Sequence, residues 1–197
     1  MHGLVNRSIQ RFIVDSYGAE IWGEICREAD LGFDNFEAML TYDSALTNAV
    51  LAAGCRRLKR KRANLLEDMG TYMVSHPDLV PLRRLLRFGG DTFVEFLHSL
   101  DDLHDRAALA LPDLDFPQLE LREHALNSYS LIYRWRQHGF GTLVLGVMRA
   151  MADDYGVLAL LGHSSTLGEF GDVDTISISL VDTQFAEGRG FELGAAE

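Results

Sequence analysis

The residues of this chain best placed to do chemistry surround His104. The segment Leu100-Asp101-Asp102-Leu103-His104-Asp105 is followed, thirteen residues after the histidine, by Pro117. Phe93, Phe96, Leu97, Leu100, Leu103, Ala107 and Leu109 recur at intervals of three and four, which is the inward stripe of an amphipathic helix. His104 lies four residues after Leu100 and seven after Leu97, so it falls on that stripe. An imidazole among apolar neighbours must find hydrogen-bond partners or give a lone pair to a metal. Spacing alone leaves both roles open, and lone core histidines are more often satisfied by hydrogen bonds than by metals.

The elements that must position this histidine divide the chain by pattern. From Leu4 to Ala110 the apolar positions follow helical spacing, punctuated by Gly18, Gly32, Gly54, Gly70, Pro77 and the Gly89-Gly90 pair. The character changes near Pro112. Residues 129–137, 157–162 and 175–182 alternate as antiparallel strands do, and a helix is predicted between them at about 141–155. The fold class is therefore α+β. Residues after about Thr183 combine Gly188, Gly190 and Gly194 with acidic and small side chains, and are expected to form a frayed or partly ordered tail.

Composition bounds the function. A chain of 197 residues with 47% hydrophobic content can bury one substantial core, so a single domain is expected. The net charge of -11 argues against nucleic acid as the main partner. No apolar run approaches the roughly 20 residues that span a bilayer, and the N-terminus lacks a signal-peptide core, so a cytoplasmic protein is expected. Cys26 and Cys55 are too few for a disulfide framework and read as buried free thiols. No Gly-x-Ser-x-Gly elbow, P-loop or His-Glu-x-x-His motif is present, and no enzyme is expected.

Six cations stand in the seven residues from Arg56 to Arg62, on an otherwise acidic chain. They read as a solvated helix end and inter-helix turn, with a docking patch for an acidic partner as the sharper alternative. His2, His76, His98, His124, His138 and His163 show no paired metal spacing and read as surface or interfacial residues.

Five ordered blocks give the chain a resemblance that spacing alone does not. Met1-His2-Gly3-Leu4-Val5-Asn6, Tyr17-Gly18-Ala19-Glu20-Ile21-Trp22, the Leu100 to His104 segment with Pro112 and Pro117, Gly139-Phe140 with Val144-Leu145-Gly146, and Tyr155-Gly156 occur in the order of the haem-nitric oxide/oxygen-binding (H-NOX) family. The sequence is similar to that family, and to the haem domain of soluble guanylate cyclase, over about 180 residues. The resemblance implies one domain over 1–182, with a helical N-terminal subdomain over about 1–65. A C-terminal subdomain over about 66–182 would carry a four-stranded antiparallel sheet, with haem b between the two and an acidic tail over 183–197. His104 would be the axial ligand of the haem iron and Pro117 a rigid contact on the porphyrin face. Some relatives add a cysteine cluster that holds zinc. No cysteine follows Cys55, so no such site is expected.

The family's Tyr-x-Ser-x-Arg motif, which holds the haem propionates, aligns with Tyr133-Arg134-Trp135-Arg136-Gln137, where only the tyrosine is kept. Strand alternation would turn Tyr133, Trp135 and Gln137 toward the haem and Arg134 and Arg136 away from it. Trp135 would then offer its indole N–H to a carboxylate or stack beside the porphyrin. His2 would lie near a propionate or the distal face. The same alignment puts Val5, Met73, Leu143 and Val147 on the distal wall, all without a conventional hydrogen-bond donor, and oxygen-binding members carry a tyrosine where Leu143 stands. Bound oxygen needs a donor, whereas nitric oxide and carbon monoxide bind in a dry apolar pocket.

The implied function is a gas sensor for nitric oxide and carbon monoxide that excludes oxygen. It would signal by strain or cleavage of the bond between iron and His104, and its output is expected to pass to a separate protein. Bacterial relatives that stand alone commonly regulate a histidine kinase or a cyclic-di-GMP enzyme. The alternative is a haem-free or weakly haem-binding interaction domain of the same fold, favoured by Trp135 and Gln137. An electron-transfer or peroxidase-like haem protein is disfavoured by the lack of a distal acid-base pair.

Overall fold

The computed structural model describes residues 1–110, 115–168 and 171–190. Helices come first: α1 (Gly3–Tyr17), α2 (Ala19–Glu28), α3 (Ser44–Leu58), α4 (Arg62–Ser75), a 3-10 turn (Pro77–Leu79), α5 (Val80–Arg87), α6 (Phe93–His98) and α7 (Leu103–Ala110). Strands β1 (Gln118–Ala125) and β2 (Ser128–Arg134) come next, then α8 (Gly141–Asp154), β3 (Leu158–Gly168) and β4 (Gly171–Asp182). The four strands form one antiparallel sheet in the order β1-β2-β4-β3. The α+β expectation holds, including the four-stranded sheet.

Local chemistry sets the helix ends. His2 caps α1 by accepting the Leu4 N–H at its Nδ1, 3.2 Å away, and Asp43 caps α3 by accepting from Ala45 at 2.8 Å. Thr92 and Glu95 form a reciprocal capping box on α6. Between α1 and α2 the chain turns at Gly18 with φ of 95°, a conformation that costs glycine little.

Helices α4 and α8 cross so closely that no side chain fits between them. A Cβ on Gly70 would lie 2.1 Å from the Leu143 carbonyl oxygen, and one on Gly146 would lie 2.0 Å from that of Glu67. The clashes are with backbone, which yields little, so Gly146→Ala is expected to destabilise the protein by about 1–3 kcal/mol. Urea unfolding measures it, and an unchanged midpoint would show that the helices separate freely.

Several expectations need correction. Residues 93–109 are not one helix: α6 ends at His98, and α7 begins at Leu103 after a turn. Leu103 and Ala107 stay buried across the break, whereas Leu109, two residues past Ala107 and so on the other face of α7, is 85% exposed. Strand β1 alternates only at Leu119 and Leu121 before turning polar, and is not among the strands expected from the pattern. Strand β2 stops at Arg134 rather than 137, while β3 runs on past 162 and β4 begins before 175. Helix α8 ends one residue before the expected 155.

Residues 186–190, expected in a frayed tail, hydrogen-bond back onto the end of α8. Ala186 N–H donates to Gly156 at 3.1 Å, Arg189 N–H to Asp154 at 2.8 Å, and Arg83 donates to the Arg189 and Gly190 carbonyls at 3.4 and 3.2 Å. The expectations placed on Pro112 and Gly194 fall outside the described residues. Both thiols are free, Cys26 buried and Cys55 half-buried, and burial raises the pKa of each.

The basic run is the end of α3 and the turn into α4, as its pattern suggests. Arg56 pairs with Glu28, Arg57 reaches Glu24 and Glu28 at 3.5 and 3.1 Å, and Arg60 reaches Asp68 at 3.5 Å. Much of its charge is thus answered within the chain. Among the described residues no helix is long and apolar enough to cross a membrane.

Candidate functional site

His104 stands in the first turn of α7, half-buried between the core residues Leu103 and Ala107. Its Nδ1 lies 3.4 Å from the Pro117 carbonyl oxygen. A carbonyl only accepts, so Nδ1 carries the proton and Nε2 keeps its lone pair. Among the described residues Nε2 has no hydrogen-bond partner. The spacing from His104 to Pro117 thus becomes a contact that fixes the tautomer and ring orientation, as backbone carbonyls do for metal-bound histidines.

Two more bonds hold the approach to α7. Asp101 accepts the Leu121 N–H of β1 at 2.7 Å, and Arg106 donates back to the Ser99 carbonyl at 2.7 Å. The histidine helix is thereby tied to the sheet edge.

The four residues expected on a distal wall come from three helices. Val5 on α1, Met73 on α4, and Leu143 and Val147 on α8 are all half-buried apolar residues packed against the core. Met73 lies one turn beyond Gly70, whose missing side chain lets α4 meet α8 at Leu143 and Val147. None of the four offers a hydrogen-bond donor. Thr142, which no sequence pattern singles out, carries a buried hydroxyl with no partner among the described residues.

The segment expected to hold propionates is not strand beyond Arg134. Tyr133 is buried, and its hydroxyl pKa is pushed far above the ordinary value by burial, with the charges of Asp174 and Asp115 adding to the effect. It remains a neutral phenol. Trp135 donates its indole N–H to the Asp115 backbone carbonyl at 3.0 Å rather than to a carboxylate, and packs edge-on against Phe140 with centroids 5.2 Å apart. The chain bends after Trp135, so alternation no longer separates its neighbours. Arg136, expected to face away from Gln137, joins it in lining one cleft with Ser44, Asn48, Arg62, His138 and Gly139.

Other histidines are engaged locally. His163, expected as ordinary, bonds the buried Asp174 at 2.7 Å, and His2 serves as the cap of α1. No signal in the sequence connects His163 to Asp174.

The donor set suits a haem. Among the described residues no group of three or more His, Cys, Asp or Glu is gathered to hold an ion. What exists is one imidazole with a fixed proton, and a porphyrin brings its own equatorial ligands and needs only such an axial one.

Helices α1 to α8 with a four-stranded antiparallel sheet are the architecture of solved H-NOX domains. An H-NOX variant from T. Tengcongensis matches with a TM-score of 0.78 over 93% of this chain and 99% of that one, at 13% identity. An S. oneidensis H-NOX variant gives 0.73 over 93% and 97%, at 14% identity. By sequence the chain is similar to soluble guanylate cyclase 89Da of Drosophila melanogaster, 22% identical over 155 residues, covering 79% of this chain and 23% of that protein. Soluble guanylate cyclase gcy-31 of Caenorhabditis elegans is 25% identical over 155 residues, covering 78% and 22%. The chain spans about a quarter of the length of these curated relatives. Residues 2–158 match the model of the Haem-NO-binding family, and the chain belongs to that family, whose domains are sensors rather than catalysts.

Proposed function

We propose that this chain is a haem-based gas sensor that binds one haem b through His104 Nε2 and responds to nitric oxide and carbon monoxide while rejecting oxygen. The observation that carries the proposal is the imidazole whose proton is fixed on Pro117 and whose other nitrogen is left without a partner among the described residues. Bound there, the haem would supply a ferrous iron with an open position for a diatomic gas.

The chain's own residues do the rest. Pro117 orients His104, while Val5, Met73, Leu143 and Val147 keep the distal side dry and without donors. A change in the pull on Nε2 is felt by α7, and the bond from Asp101 to Leu121 passes it to β1. Such a shift signals only to a partner that binds the two states with different affinity. A separate effector, such as a histidine kinase or a cyclic-di-GMP enzyme, fits that requirement. We place the sensor in residues 1–182, with the haem between a helical part to about residue 65 and the remainder.

A second reading, a domain of this fold with little haem, draws on Trp135, whose indole N–H is already committed to Asp115.

The test is to expose the ferrous, haem-loaded protein to air, then to nitric oxide. The expected spectrum is unchanged by oxygen and altered by nitric oxide, whereas a stable oxygen complex would overturn the distal argument, with Thr142 the first donor to suspect. In Leu143→Tyr a phenol enters the wall, and oxygen affinity is expected to rise roughly 10-fold to 100-fold, the worth of one hydrogen bond to a charged acceptor. Oxygen titration by absorbance measures it.

A further inference from the structure

The cleft beside Gln137 is cationic on a protein whose net charge is -11. Its volume is about 500 Å³, and its lining includes Arg62 and Arg136 with the neutral side chains of Ser44, Asn48 and Gln137, and no carboxylate among the described residues. Arg62 is the unusual member. It opens α4, where the helix dipole disfavours a cation, and no acidic residue stands in that first turn.

The Arg62 guanidinium is half-buried, and burial lowers its pKa. It donates to the neutral Asn48 Oδ1 at 3.0 Å and lies 5.4 Å from the centre of the Phe140 ring. Among the described residues neither Arg62 nor Arg136 meets a carboxylate. Arg56, Arg57 and Arg60, in the same basic run, each do. A desolvated guanidinium without a counter-charge at the positive end of a helix is costly unless an anion joins it.

We infer that this cleft binds a carboxylate or phosphate group, with Arg62 and Arg136 as its two charged ligands and Asn48 and Gln137 as its polar ones. Two sources offer that chemistry: the carboxylates on the rim of a bound haem, or a small free anion. The first rests on the function proposed above. Gln137 holds the position where the family motif has its arginine, and Arg136 and Arg62 would restore the charge from either side of it. The second requires no haem.

The experiment compares wild-type protein with Arg62→Gln, Arg136→Gln and the double variant, each titrated with haem and with haem dimethyl ester, in which both carboxylates are neutralised. Arg136 is exposed, so its variant reports even if Arg62→Gln folds poorly. A parallel arm tracks the thermal midpoint of the apoproteins in inorganic phosphate. If haem carboxylates are the source, wild type prefers haem to its ester by about 10-fold or more, and the double variant loses that preference, in line with charge-assisted hydrogen bonds. If a free anion is the source, the ester preference is the same in all four proteins, while phosphate raises the midpoint of wild type and not of the double variant. An unchanged ester preference together with an equal phosphate response in all four proteins overturns the inference. Should no protein bind either porphyrin, the haem reading fails, and the phosphate arm alone decides the cleft.

Discussion

His104→Gly is expected to lose haem at concentrations that saturate the wild type, and added imidazole is expected to restore the Soret band. Mutating the groups that merely orient a metal ligand costs roughly 10-fold to 100-fold in affinity, so deleting the ligand itself is expected to cost at least about 100-fold. The protein should survive the change. His104 is half-buried and among the described residues makes one hydrogen bond, to Pro117 at 3.4 Å, so unfolding free energy is expected to fall by only about 1 kcal/mol. The two readouts separate ligation from folding. Undiminished haem binding in a folded His104→Gly protein would show that another residue holds the iron.

Asp154→Ala carries the largest expected effect on stability, about 3–5 kcal/mol, because it deprives two arginines of a buried carboxylate. Asp154 is 1% exposed and closes the end of α8. It accepts from Arg83 at 2.7 Å and lies 3.8 Å from Arg87, both on α5. The Arg87 guanidinium also sits 3.8 Å over the Tyr155 ring, whose hydroxyl donates to Gly90 at 2.7 Å. The same carboxylate residue supplies the backbone carbonyl that accepts from Arg189. Chemical denaturation with intrinsic fluorescence measures the loss, and a change under about 1 kcal/mol, the worth of an exposed pair, would show that the cluster is solvated. Arg83→Met combined with Asp154→Leu is expected to recover part of it, since apolar residues can replace a buried ion pair.

The bond from His104 to the Pro117 carbonyl is seen only in the structure, whereas the stripe that carries His104 is legible in the sequence because helical periodicity is local. So is α8, bounded by Gly139 and Gly156, both at positive φ. The stripe fails at Leu109 because that residue, two after the buried Ala107, falls on the other face of α7. Strand β1 escapes because it is an edge strand whose apolar alternation is limited to Leu119 and Leu121, with Glu120 paired to Arg122 and Arg134 on its other face. The propionate segment departs from its pattern for a related reason: period two holds only while the strand lasts, and β2 ends at Arg134. The cleft of Arg62 and Arg136 is hidden because its two cations belong to distant segments, and the run around Arg62 reads as uniform until Arg56, Arg57 and Arg60 are seen to have partners.

That this chain holds one haem on His104 is tested most directly by a Soret titration of wild-type protein with ferrous haem under anaerobic conditions. The band is expected to grow linearly and to break at one haem per chain. A titration with no break, giving the spectrum of free haem throughout, would contradict haem binding by this chain.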